Sequence, residues 1–201
     1  MRSRLCLILT RDLCVLDPLL VAAEAVAGGV DMLQVREKDC STADLYAWSC
    51  QVVALGRRLQ VPVLINDSVE VAIAADASGV HLGQDDMRLA DARTLLGKNK
   101  LIGLSTHDLQ QLEDAALAGA DYVGFGPVFA TQTKGYTEGL GVEQLTAATL
   151  FTQLPLLAIG GITVENAGML CGKAGLAVSS AICSSRHPQK IAYAMRAQVV
   201  Y

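Results

Sequence analysis

The feature that most constrains this chain is an alternation. Eight short runs rich in aliphatic and β-branched residues divide its 201 residues into units of about 25, the length of one strand and its crossover helix. The strand candidates are Leu5–Thr10, Asp31–Val35, Val61–Ile65, Gly79–Leu82, Leu101–Leu104, Tyr122–Gly126, Leu156–Ile159 and Leu176–Ser179. Helical stretches between them include Pro18–Ala27, Thr42–Arg58, Val69–Ala75, Leu109–Ala118 and Val164–Cys171. Pro18 opens the first of these and Gly28-Gly29 closes it, the usual punctuation of a helix. Pro62 and Pro155 stand at strand starts, where a missing N–H is tolerated. Regular alternation of this kind implies parallel pairing through right-handed crossovers. Eight units predict an α/β fold, a single-domain (β/α)8 TIM barrel over residues 1–201, near the short end of the size range. The competing architecture, a doubly wound open sheet, carries a glycine-rich fingerprint after its first strand. This chain has Leu9-Thr10-Arg11-Asp12 there.

Composition narrows the function classes. Hydrophobic residues make up 52% and charged residues 18%, which excludes long disorder. A formal charge of −4 and 4% aromatics argue against a nucleic-acid partner. No apolar stretch reaches the ~18 residues of a membrane span. The apolar run after Met1 meets Arg11-Asp12 too early for a signal peptide, so a cytoplasmic location is expected. Cys6, Cys14, Cys40, Cys50, Cys171 and Cys183 form neither a CxxC pair nor a zinc spacing and are expected to pack as small apolar groups. Association into a homo-oligomer is left open.

The residues just past the end of each strand are the most informative, because a barrel gathers them on one rim. The second strand leads into Gln34-Val35-Arg36-Glu37-Lys38, the third into Asn66-Asp67, and the fourth into His81-Leu82-Gly83-Gln84-Asp85-Asp86. The fifth leads into Ser105-Thr106-His107, and the sixth into Gly126-Pro127 and Thr131-Gln132-Thr133-Lys134. Gly160-Gly161 and Ser179-Ser180 come after the last two. Any one cluster could be a solvated turn or a helix cap; seven converging on one rim imply a binding site. Gly160-Gly161 with Ser179-Ser180 suits a monophosphate, since glycine lets backbone N–H groups approach an anion. Asp67 and Asp86 suit Mg²⁺, which takes one or two protein carboxylates plus phosphate oxygens; the bland alternative for each is N-capping. Arg36, Lys38 and Lys134 suit a diphosphate. His81, inside a strand, reads as a hydrogen-bonded structural histidine, and His107 is expected to orient its loop. His187 reads as surface and Trp48 as core. No nucleophile–base–acid trio is present, which disfavours covalent hydrolase chemistry.

Taken together, QVREK (34–38), IND (65–67), GVHLGQDD (79–86), IGLSTH (102–107), GADYVGFGPVFATQTK (119–134), AIGGIT (158–163) and SSAI (179–182) resemble the thiamine phosphate synthase family over nearly the whole chain. The resemblance implies a (β/α)8 enzyme that joins hydroxymethylpyrimidine diphosphate to thiazole phosphate, or its carboxylate, releasing pyrophosphate. It implies that pyrophosphate leaves first and that the thiazole nitrogen captures a pyrimidine methylene cation. By this resemblance Gln34, Arg36, Lys38, Asn66 and Lys134 hold the pyrimidine diphosphate, and Asp67 and Asp86 hold Mg²⁺. Ser105 contacts the pyrimidine or diphosphate, Thr131 and Thr133 the thiazole, and Gly161, Ser179 and Ser180 its phosphate. Arg36, Lys38, Ser105 and Lys134 are the expected catalytic set. The chain departs from the family pattern at Ala130, at Gly135-Tyr136-Thr137-Glu138, at Gly172-Lys173-Ala174-Gly175 and at Ser179. Two other readings are a thiazole tautomerase of similar fold and a non-catalytic thiamine-phosphate-binding protein. The tautomerase carries a catalytic histidine where this chain has Pro127.

Overall fold

The computed structural model describes residues 4–131 and 137–199. Its eight strands close into one parallel barrel in chain order: β1 (Leu5–Leu9), β2 (Met32–Val35), β3 (Val63–Asn66), β4 (Gly79–Leu82), β5 (Leu101–Thr106), β6 (Tyr122–Phe125), β7 (Leu156–Ile159) and β8 (Gly175–Val178). The helices around them are α1 (Pro18–Ala27), α2 (Thr42–Leu59), α3 (Val69–Ala74), α4 (Leu89–Leu96), α5 (Leu109–Ala118), α6 (Gly141–Phe151), α7 (Val164–Ala167), α8 (Ser180–Cys183) and α9 (Pro188–Gln198). The predicted barrel is therefore the observed one. No helix among the described residues is long and apolar enough to cross a membrane.

Local chemistry explains where the elements start. Asp17, Ser41, Ser68 and Asp108 each accept a backbone N–H of the first turn of α1, α2, α3 and α5, satisfying donors that the helix leaves orphaned. Three elements differ from expectation at a boundary by two residues or more. Val61 stays outside β3, because its N–H closes the end of α2 on the Gly56 carbonyl at 3.0 Å. β5 runs on to Thr106, held in register by Ser105 opposite Gly124 and Thr106 opposite Phe125. Val164–Cys171 is not one helix: α7 ends at Ala167 and a 3-10 turn follows over Gly168–Leu170. Asn166 there engages the Thr163 N–H and the Gly161 carbonyl, and Gly168 next to it is a poor helix former.

The same strands present two different faces. Outward, Leu5, Leu7, Leu9, Leu33, Ile65, Leu82, Ile102, Val123 and Phe125 pack with the helices in one aliphatic shell. Inward lies a smaller cluster of Cys6, Ile8, Met32, Leu64, Tyr122, Leu157 and Ala177. Among the buried polar residues, Gln34, His81 and Thr106 lie on strands of this barrel. Trp48 is buried in the outer shell, as expected of core, and the six cysteines form no disulfide. At the end of the barrel opposite the site, Asp31 accepts the N–H groups of Arg4 and Leu5 and pairs with Arg196. Asp121 there binds Arg93 and the Ile102 N–H. These charges anchor chain ends and strand starts.

Candidate active site

At the C-terminal ends of β2, β3 and β4 the structure assembles a charged group. Glu37 turns away from it. Its carboxylate accepts the Arg11 N–H at 3.0 Å and lies 3.3 Å from Arg11 Nε. Arg11 is itself tied to Asp44 and stacked 5.4 Å from the Trp48 ring. With Glu37 pinned to the loop after β1, its neighbours face the rim: Arg36 lines the central pocket, and Lys38 Nζ reaches Asp67 Oδ2 at 2.6 Å.

Neither aspartate is a helix cap. Ser68 caps α3, and Arg88 precedes α4. Asp67 instead sits at φ +66°, a left-handed conformation uncommon outside glycine, while its N–H donates to the His81 carbonyl at 2.8 Å. Asp86 accepts the Gly83 N–H at 2.6 Å, and its carboxyl group and that of Asp67 shift each other's protonation. Burial pushes the Asp67 carboxyl up, but Lys38 and Asp86 outweigh it and hold it below the usual carboxylate range. Asp86 moves the other way, pushed up by burial and then by Asp67. Two facing carboxylates split in this way because a like charge close by disfavours ionising the second group. Asp85 is exposed.

The other half of the rim is a pocket of about 700 Å³ open to solvent. Arg36, Ser105, Thr131, Gly161, Ser179 and Ser180 all line it. Its floor on this side is made by backbone. Gly160 and Gly161 have φ of +98° and +62°. A Cβ on Gly160 would lie 2.4 Å from the Pro127 Cβ, and one on Gly161 2.4 Å from the Ala130 carbonyl oxygen. Glycine is therefore required by conformation and by space. The Ser179 Oγ is buried with no hydrogen-bond partner among the described residues. His107 binds the Gly126 carbonyl through Nδ1, and its N–H donates to Gln111 Oε1 at 2.8 Å, so it does orient its loop. His187 precedes α9 on the surface. Thr133 and Lys134, with Gln132, lie outside the described residues.

Between the two halves the barrel interior is polar. Gln34 is buried on β2, and Asn66 ends β3 half-buried, opposite His81. His81 is hydrogen-bonded at both ring nitrogens, to Tyr122 Oη at 2.8 Å and Ser105 Oγ at 2.9 Å. Gln84 Nε2 donates to the Ser105 carbonyl at 2.6 Å. Tyr122 is the polar residue that sequence reasoning missed. The one available signal was its two-residue spacing to Gly124 on the same strand, which places both on one face.

Comparison with known proteins bears on the family and the fold. Residues 5–182 match the family described as thiamine monophosphate synthase. The thiamine-phosphate synthase of Chlorobium luteolum is 41% identical over 197 residues, 96% of this chain and 91% of that protein. That of Chloroflexus aurantiacus is 43% identical over 182 residues, covering 89% and 84%. The thiamine phosphate pyrophosphorylase structure from Pyrococcus furiosus superposes with a TM-score of 0.88 at 31% identity, covering 98% of this chain and 95% of that one. A 3-hexulose-6-phosphate synthase, at 18% identity and a TM-score of 0.71, shares the fold.

Proposed function

The chain belongs to the thiamine monophosphate synthase family, and from that premise we propose how its residues divide the work of the family's alkyl transfer. It joins hydroxymethylpyrimidine diphosphate to thiazole phosphate, or its carboxylate, giving thiamine phosphate and pyrophosphate. The observation that supports this division is the pairing of two anion sites on one rim. One is built from Arg36, Lys38, Asp67 and Asp86, the other from the backbone around Gly161 and Ser179.

Arg36 and Lys38, with Lys134, hold the pyrimidine diphosphate, and Gln34 and Asn66 flank it. As the bond from the methylene carbon to the diphosphate oxygen breaks, negative charge grows on the leaving group, and fixed cations stabilise it. Asp67 and Asp86 fit a hard divalent cation. They are two carboxylates on adjacent loops, one resisting ionisation through burial and then through the other, and Mg²⁺ takes few protein ligands. When bound there, Mg²⁺ would neutralise charge on the diphosphate oxygens. Ser105 contacts the pyrimidine or diphosphate from β5. Gly161, Ser179 and Ser180 cradle the thiazole phosphate, and Thr131 and Thr133 border its ring. The thiazole nitrogen has no proton to lose, so no general base is needed. The whole chain, 1–201, acts as one barrel domain in the cytoplasm.

Purified protein given both substrates and Mg²⁺ should release pyrophosphate and form thiamine phosphate, and chelation should suppress turnover. Absence of turnover in folded protein would overturn the reading. Running the assay with the thiazole carboxylate decides which acceptor is preferred.

A further inference from the structure

The roles proposed for the rim leave two buried polar side chains, Tyr122 and His81, without a task. They meet because of a gap in the strand between them. In the parallel register His81 on β4 lies beside Gly103 on β5, and Gly103 lies beside Tyr122 on β6. A Cβ at Gly103 would be 2.2 Å from Tyr122 Cζ, so the phenol ring spans bare backbone to reach the imidazole. The next inward pair repeats the device: Ser105 lies beside Gly124, and a Cβ there would meet His81 Cε1 at 3.4 Å.

The direction of the hydrogen bonds comes from donor counting. Burial raises the Tyr122 pKa well above its ordinary value, so the phenol keeps its proton. The phenol's own O–H then needs an acceptor, and His81 Nδ1 stands at 2.8 Å. A neutral imidazole has one acceptor and one donor. Its remaining N–H, on Nε2, faces Ser105 Oγ at 2.9 Å. A serine oxygen that accepts there keeps its own O–H for another partner, and Ser105 lines the pocket.

We propose that Tyr122 and His81 are positioning residues: the phenol fixes His81 as the Nε2–H tautomer, and that N–H aims the Ser105 hydroxyl proton into the pocket. The inference rests on the reading of Ser105 as a substrate contact. With the opposite polarity, Nδ1–H to the phenol and Ser105 O–H to Nε2, the serine would offer substrate only lone pairs.

The test begins without substrate. In protein labelled with ¹⁵N-histidine, the imidazole shifts of His81, assigned by their loss in His81→Gln, should report the Nε2–H tautomer at neutral pH. An Nδ1–H tautomer or an imidazolium overturns the proposal. In Tyr122→Phe the tautomer should become mixed, and an unchanged tautomer overturns it. In turnover, Tyr122→Phe should lower kcat about tenfold through misplacement of one contact, with KM for the pyrimidine diphosphate within about twofold. The double variant Tyr122→Phe/Ser105→Ala should be no worse than the poorer single variant, since residues acting as one unit are not additive. Additive losses, or a Tyr122→Phe enzyme with unaltered kcat, overturn the proposal. Should Tyr122→Phe not fold, the wild-type tautomer still decides. That measurement involves no substrate, so its failure is distinct from failure of the synthase reading.

Discussion

In the proposed reading, the two halves of the rim recognise anions by different means. On the β2–β4 side the work falls to charged side chains that already act on one another: Lys38 paired with Asp67, and Asp67 beside Asp86. On the β6–β8 side it falls to main chain, shaped by Gly160 and Gly161 and closed by Pro127. A site made of side chains can be emptied of function one group at a time while the fold stands. A site made of backbone cannot be altered without moving the chain that forms it.

Substitutions should separate the halves accordingly. Asp67→Ala is expected to have the largest effect on turnover, a loss of about a hundredfold or more, with the melting temperature little changed. A comparable loss of thermal stability would erase the contrast. Gly161→Ala should act on both properties. It places a Cβ 2.4 Å from the Ala130 carbonyl oxygen at φ +62°, strain of about 1–3 kcal/mol. Denaturant titration should show that loss, and KM for thiazole phosphate should rise. Ser179→Ala should raise KM for thiazole phosphate about threefold, within the range of one modest hydrogen bond, without loss of stability. The hydroxyl it removes is buried and has no partner among the described residues. An unchanged KM would leave the phosphate to backbone alone and sharpen the contrast further.

The smallest effect concerns pH. Although burial pushes the Asp67 carboxyl up, the bonds led by Lys38 hold it below its ordinary value. That pair therefore stabilises the metal-free fold above about pH 4, and the contribution is lost as pH falls through the folded value. Lys38→Met should flatten this acid limb only slightly, since the lysine side chain is 53% exposed and solvent screens the pair.

How much of this was legible in the sequence differs between the same regions. The β2–β4 half was readable residue by residue, because a charged side chain after a buried strand announces itself. The doublet Gly160-Gly161 was readable as a turn. The steric reason for it was not, since Pro127 and the Ala130 carbonyl come from another loop. The strands themselves were visible as aliphatic runs, but which face of each strand looks inward was not, because barrel strands are buried on both sides. Tyr122 was hidden for that reason. Its task depends on what Gly103 lacks one strand away, and no local pattern records an absence on a neighbour. The capping alternative for Asp67 and Asp86 fell only when Ser68 and Arg88 were seen at the starts of α3 and α4.

One residue belongs to both halves. The carbonyl of His81 holds the N–H of Asp67, and its ring holds Ser105. It is thus a mechanical joint between the charged β2–β4 side and the pocket that Ser105 lines. If occupancy of one side shifts this joint and so changes affinity on the other, thermodynamic reciprocity requires the influence to run equally in both directions. Each substrate would then strengthen or weaken the hold on the other through a single strand end, with no moving domain to carry the coupling.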